Sequence, residues 1–143
     1  MLKLLKLADK LMASIFTKII NGEIPACKIA EDEYCIAFLD INPLSIGHTL
    51  VVPKLEVDNI FDLPADNYKL LFSFAQKIAK AIEKSIVCKK VGIAVIGLEV
   101  PHAHIHLIPI NDIYDIDFKK TKLKFTTDEL NEIAGRIASN IVV

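Results

Sequence analysis

The chain predicts an α+β domain on an antiparallel sheet, because its apolar periodicity runs strand pair, helix, strand pair, helix rather than alternating βαβ. Two β-rich runs joined by a short polar loop, Tyr34 to Ile41 and His48 to Val52, predict an antiparallel hairpin. A long helical stripe follows them, and a second helix carries its own start signal. Ahead of these, Ile15 to Ile20 is a short apolar run closed by the Asn21-Gly22 turn pair. Asn42-Pro43 ends the first strand and Pro53 the second. Asp62 is the expected cap of the middle helix and Pro64 suits its first turn. Leu71, Phe74, Ala75, Ile78 and Ile82 then repeat at the 3.6-residue period with lysines between them. Lys90 to Ile96 reads as a third strand, and Ala103 to Ile108, closed by Pro109, as a fourth. Lys119 to Lys124 reads as a solvated strand or loop whose lysines could touch phosphate, and its alternation with Leu123 and Phe125 suggests a charged strand edge. Thr126 and Glu129 form a capping box before a final helix whose stripe is Leu130, Ile133, Ala134 and Ile137.

Length and charge narrow the function. At 143 residues the chain suits one domain able to bury a core without disulfides or a structural metal. Seventeen basic and eighteen acidic residues give a formal net charge of -1, no field that would draw nucleic acid or anionic lipid. No run approaches the ~20 apolar residues of a membrane span. Cys27, Cys35 and Cys88 are odd in number and form no C-x-x-C pair, which points to small core residues in a reducing, cytoplasmic setting. Residues 1–11 are an N-terminal extension to a domain spanning 12–143. Leu4, Leu7, Ala8 and Leu11 make a helix stripe there, suited to a short docking helix, a basic amphipathic anchor or a non-native addition upstream of Met12.

The chemistry sits in His102-Ala103-His104-Ile105-His106, which holds three of the chain's four histidines. On a strand these imidazoles share one face, about 6.5–7 Å apart at Cα, while Ala103, Ile105 and Leu107 take the other. On a helix His104 would point away from its neighbours. A lone strand histidine is commonly a satisfied core residue. Three at strict period two, in a chain otherwise nearly without histidine, are not explained by packing. The pattern suits either a metal site or a histidine acting as nucleophile beside proton donors.

Four segments in order carry a family resemblance: Ile15 to Pro25, Ala37 to Pro43, Gly47 to Lys54, and Glu99 to Pro109. Together they resemble the histidine triad family of nucleotide-binding hydrolases and transferases, and within it the purine nucleoside phosphoramidases. The resemblance implies a single domain with about five antiparallel strands, a homodimer joined through the middle helix and a sheet edge, and no cofactor. It also implies that His104 attacks the α-phosphorus of a purine nucleotide or nucleotide conjugate to give a nucleotidyl-histidine. A backbone carbonyl would hold the remaining ring N–H of His104. His106 would sit near phosphate and leaving group, His102 and His48 would complete the cluster, Asp40 would accept the ribose hydroxyls, and Ile15, Phe16, Ile19, Phe38, Leu39 and Ile41 would line the base pocket. Asp40 alone reads as a strand-end turn residue.

The departures matter equally. Zinc-bearing members have a C-x-x-C pair where this chain has Ser14 and Thr17, and a histidine where it has Glu56, so no structural zinc is expected. Val95 to Glu99 is a shorter loop than usual and puts Leu98 at a glutamine position, with less grip for a long polyphosphate. A phosphoramidase is therefore favoured over a dinucleoside polyphosphate hydrolase. Two other classes stay open: a metal-dependent hydrolase using the three triad histidines, and a nucleotide-binding module with little turnover. No G-x-G-x-x-G, phosphate-binding loop or serine elbow is present.

Overall fold

The computed structural model describes residue 1, residues 3–4 and residues 13–142. The stripe expected through Leu7, Ala8 and Leu11 lies outside them, as does the boundary at residue 12.

A short helix opens the domain: α1 (Ile15–Ile20), capped by Ser14, whose side chain accepts the Thr17 N–H. The sheet comprises β1 (Lys28–Glu31), β2 (Cys35–Leu39), β3 (Thr49–Pro53), β4 (Lys90–Ala94) and β5 (Ile105–Ile110) in the order β1-β2-β3-β5-β4, each pair antiparallel. The long helix α2 (Ala65–Ser85) and the closing helix α3 (Thr127–Ser139) complete an α+β domain. The expected hairpin is β2–β3, with Phe38 opposite Leu50.

Side-chain alternation divides the sheet. Ala37 and Leu39 of β2, Val51 of β3, and Ile105 and Leu107 of β5 face one way, into the core formed with Leu71, Ala75, Ile78 and Ile82 of α2 and Leu130, Ile133 and Ile137 of α3. Ile36, Phe38, Leu50 and Val52 face the other way and pack with Phe16 of α1. Both helical stripes and the Thr126–Glu129 capping box are as expected. The three cysteines are free thiols, and burial pushes Cys35 up to about 12, which makes it inert. Among the described residues no helix is long and apolar enough to cross a membrane.

Several boundaries differ from expectation for local reasons. Asp62 does not cap α2. It ends a 3₁₀ turn, Ile60–Asp62, capped by Asn59, and the N-cap position of α2 is Pro64 with no side-chain bond. The intervening Leu63 is extended, as a residue before proline favours. The expected Lys90 to Ile96 strand stops at Ala94, shortly before the chain turns at Gly97 with φ +70°. Pro109 lies inside β5 rather than closing it: it pairs with Val91 of β4, while pairing with β3 has already ended at Leu107, so its missing N–H costs the ladder nothing. Lys119 to Lys124 forms no strand but an irregular segment tied down by the Leu123 N–H bond to the Pro43 carbonyl, 2.9 Å. β1 had no sequence signature beyond Ile29, because its only fully buried side chain is that one.

The packing makes a direct prediction. Ile78 is 1% exposed at the α2–sheet contact, so Ile78→Ala lowers unfolding stability by about 2–5 kcal/mol in urea denaturation. Thr126→Ala, which removes only a solvent-facing cap, costs about 1 kcal/mol.

Candidate active site

β5 brings His106 to the sheet face opposite the helical core, directly across from Leu50 of β3. His102 and His104 were expected on the same strand, but β5 begins at Ile105. The pairing with β3 ends at Ile105, and Ala103 instead donates to the Val57 carbonyl of the following loop at 2.7 Å. The histidine face is mostly covered, with His102, His104 and His106 at 0%, 6% and 8% exposure. The rings still gather: His104 and His106 centroids are 4.9 Å apart, and Phe16 of α1 meets His104 edge-on at 4.9 Å.

Backbone partners decide where each imidazole carries its proton. Nδ1 of His104 lies 2.7 Å from the His102 carbonyl, which can only accept. Nδ1 therefore bears the hydrogen, and Nε2 is left with a lone pair. His48 shows the opposite arrangement: the Leu44 N–H donates to its Nδ1 at 3.0 Å, so Nε2–H donates to Nδ1 of His106 at 2.9 Å. His106 in turn carries its hydrogen on Nε2. No buried side-chain nitrogen or oxygen among the described residues lacks a partner, so the unbonded Nε2 atoms of His104 and His106 are reached by solvent. A lone pair on one ring and an N–H on the next, with ring centroids 4.9 Å apart, thus both meet solvent.

Asp40 stands at the end of β2. Its Oδ1 accepts the Asn42 N–H at 2.9 Å, the turn role expected of it, and Oδ2 lies 3.6 Å from Nε2 of His48. Burial raises the Asp40 carboxyl, offset by that N–H and by the nearby His104 and Lys122. Asp40, His48 and His106 each have a ligand-type atom within 4.8 Å of the others. The His48–His106 contact at 2.9 Å is already a hydrogen bond, and in a tetrahedral site with bonds of about 2.1 Å the ligand atoms stand roughly 3.4 Å apart. The triad itself does not converge: Nε2 of His102 and Nδ1 of His104 both serve carbonyls.

The expected base-pocket residues separate. Phe16 and Phe38 pack together at 5.7 Å, and Ile19 lies against their cluster. Ile15 and Ile41 are exposed, 48% and 66%. Leu39 belongs to the opposite face, in the helical core, because it follows Phe38 by one residue on a strand.

One group was not expected here, and a lysine of the charged cluster joins it. Phe118, in the segment after β5, sets its ring edge-on to His106 at 4.9 Å and to His48 at 6.3 Å. Lys122 donates to the Phe118 carbonyl and, at 3.1 Å, to that of Lys120, which leaves one ammonium N–H spare. Its charge bears on both Asp40 and His48. Sequence held a partial signal, since lysines clustered there, but an irregular return path to the site has no periodicity to read.

The residues at the family's zinc position do not fit that metal. Ser14 Oγ and Nδ1 of His102 are 2.6 Å apart as a hydrogen bond, closer than ligands of one tetrahedral zinc stand (about 3.4 Å). Thr17 is a hydroxyl in place of a thiolate, and it is spent on Glu56 at 2.7 Å.

Burial lowers all four histidines: His48 to about 4, helped by Lys122, and His106 to about 3, helped by His104 and His48. At neutral pH the 3.6 Å His48–Asp40 approach is therefore not an ion pair. Unfolded histidines titrate near 6.5, so below that pH the unfolded chain binds more protons than the folded one and stability drops as pH falls. Urea denaturation between about pH 6.5 and pH 5 should show this decline, with His48→Gln reducing its slope by up to one proton. An unchanged slope would show that His48 is not held neutral.

The chain is similar to known proteins in both sequence and fold. The HIT domain family model matches residues 21–113. An uncharacterised HIT-like protein of Methanocaldococcus jannaschii is 41% identical over 133 residues, 85% of this chain and 98% of the relative. An adenosine 5′-monophosphoramidase of Schizosaccharomyces pombe is 33% identical, with 91% and 99% covered. Among solved structures, a HIT-like protein of Bartonella henselae superposes with a TM-score of 0.78 at 32% identity over 90% of this chain and 96% of that one. A zinc-bound histidine triad protein of Mycobacterium smegmatis gives 0.74 at 28%, covering 90% and 93%. Fold and sequence agree: the chain belongs to the HIT, or histidine triad, family.

Proposed function

We propose that this protein hydrolyses purine nucleoside 5′-phosphoramidates, through a nucleotidyl intermediate on His104. One observation carries the reading: Nδ1 of His104 donates to the His102 carbonyl at 2.7 Å, which leaves Nε2 as a lone-pair nitrogen at the solvent edge, beside an N–H of His106. A neutral imidazole is a competent nucleophile at physiological pH. Nε2 attacks the α-phosphorus, the phosphorus–nitrogen bond of the substrate breaks, and the amine takes one proton from solvent as it leaves. Nε2–H of His106 donates to the phosphate and leaving group. Water then attacks the same phosphorus, the electron pair returns to Nε2 of His104, the proton returns to solvent, and the nucleoside monophosphate departs. Asp40 accepts the ribose hydroxyls through Oδ2. The base lies against Phe16 and Phe38 with Ile19, Ile15 and Ile41 at the margin. Such an apolar slot has little to read base edges. The relatives named as adenosine 5′-monophosphoramidases support this substrate class.

Lys122 supplies a fixed cation to the anionic substrate, its orientation set by the carbonyls of Phe118 and Lys120. Two copies of the chain pair through the β4 edge and α2. In support, β4 ends the sheet with Ile93 55% exposed, and α2 exposes Leu70. Burying that edge blocks further strand addition.

The first test is turnover of adenosine 5′-phosphoramidate with EDTA present. Wild type is active, and His104→Ala loses about 10⁴-fold or more in kcat, the scale of a lost covalent nucleophile. Activity that survives the substitution, or that EDTA abolishes, would end this reading. Lys122→Met raises KM about tenfold with a smaller effect on kcat. Ile93→Lys shifts the sedimentation equilibrium to monomer, and an unshifted dimer would place the interface elsewhere.

A further inference from the structure

Beneath the triad, side chains from three separate segments meet: Ser14 and Thr17 at the start of α1, Glu56 after β3, and His102 before β5. His102 is fully buried, and both its ring nitrogens are used. Nε2–H donates to the Pro53 carbonyl at 2.7 Å, so Nδ1 is an acceptor and takes the Ser14 hydroxyl at 2.6 Å. Ser14 Oγ also accepts the Thr17 N–H at 3.0 Å, as the cap of α1. Glu56 closes the cluster by accepting the Ser14 N–H at 2.6 Å and the Thr17 hydroxyl at 2.7 Å through one oxygen, Oε1. Burial opposes its ionisation, but these bonds outweigh it and hold the carboxyl below its ordinary range.

The proposed reaction touches none of Ser14, Thr17 or Glu56. Their link to it is covalent and short: the peptide carbonyl that takes the His104 hydrogen belongs to His102. Rotating or retautomerising the His102 ring would leave a lone pair facing the Pro53 carbonyl, so the ring would have to leave its slot and carry that carbonyl with it. The same serine fixes α1, whose Phe16 meets both His102 and His104, at 5.8 and 4.9 Å. One hydroxyl thus ties the wall of the base pocket to the orientation of the nucleophile.

We infer that Ser14 and Glu56 are positioning residues: with Thr17 they form a metal-free hydrogen-bonded latch that locks His102 in its Nε2–H tautomer and, through the His102 carbonyl, aims Nε2 of His104. This rests on His104 being the nucleophile, and it extends that reading to three residues that meet no substrate. The latch performs with hydrogen bonds the cross-linking for which the donor set is unsuited to zinc.

The test uses the full chain labelled with ¹⁵N-histidine. In wild type the ring spectra show His102 as the Nε2–H tautomer and His104 with a slowly exchanging Nδ1–H. Ser14→Ala accelerates exchange of the His104 hydrogen about tenfold or more, and lowers kcat about 10- to 100-fold with KM changed less than about threefold. Ser14→Thr, which keeps the hydroxyl, restores both. Glu56→Gln, at a carboxylate whose side chain is 39% exposed, shifts the same resonance in the same direction. Thr126→Ala removes a cap far from the site, and it leaves the His104 signal as in wild type. An unchanged His104 Nδ1–H in both folded variants, Ser14→Ala and Glu56→Gln, would overturn the inference and leave Ser14 as a helix cap only. The ring spectra answer even if wild type proves inactive on phosphoramidates, so the two readings fail separately.

Discussion

An imidazole can attack only through a nitrogen that holds a lone pair, and in His104 that nitrogen is selected by one hydrogen bond, Nδ1 to the His102 carbonyl at 2.7 Å. Much of the local architecture sets that carbonyl. The β3–β5 ladder, with Val51 opposite Ile105 and Leu50 opposite His106, fixes where the chain leaves the sheet. The Ala103 N–H bond to Val57 and the His102 ring bond to Pro53 then hold the departing segment against the end of β3. The helical core beneath Ile105 and Leu107 makes this edge stiff, since neither side chain has room to move.

Burial has a second consequence. Four imidazoles sit within a small volume, and desolvation keeps them neutral, so they stand side by side without mutual repulsion. Their hydrogens are placed by fixed hydrogen-bond partners rather than by pH: the Leu44 N–H sets His48, the His48 ring sets His106, and the Pro53 and His102 carbonyls set His102 and His104. What a phosphate would meet here is an ordered set of one lone pair and one N–H, with Lys122 as the nearby cation. This is pre-organisation in the sense that no group needs to reorient before reaction.

Most of the fold was legible because burial leaves a period. The stripes of α2 and α3, the β2–β3 hairpin and the Thr126–Glu129 box each express local rules that packing did not override. Position-dependent features were less legible. Asp62 looked like a cap, but the proline after Leu63 forces an extended residue between it and α2. Pro109 looked like a strand end, but a proline is harmless where one neighbour has stopped pairing. In the site, His48, Asp40 and the triad were named from motifs and lie together. The family resemblance puts Leu39 in the pocket, whereas strand alternation turns it to the other face. Phe118 and Lys122 reach the site along an irregular path, and in the sequence Ser14, Thr17 and Glu56 mark only the absence of zinc ligands. Tertiary contact made each of them relevant, and a one-dimensional pattern carries no record of that.

The proposed mechanism requires a covalent bond between Nε2 of His104 and phosphorus. Rapid quench of enzyme mixed with labelled adenosine 5′-phosphoramidate, followed by peptide mass spectrometry under alkaline conditions, looks for it directly. The expected result is one adenylyl group on the peptide containing His104, formed and consumed fast enough to support turnover. Steady turnover with no adenylyl group on any histidine would mean that water displaces the amine directly, and the role assigned to His104 would be wrong.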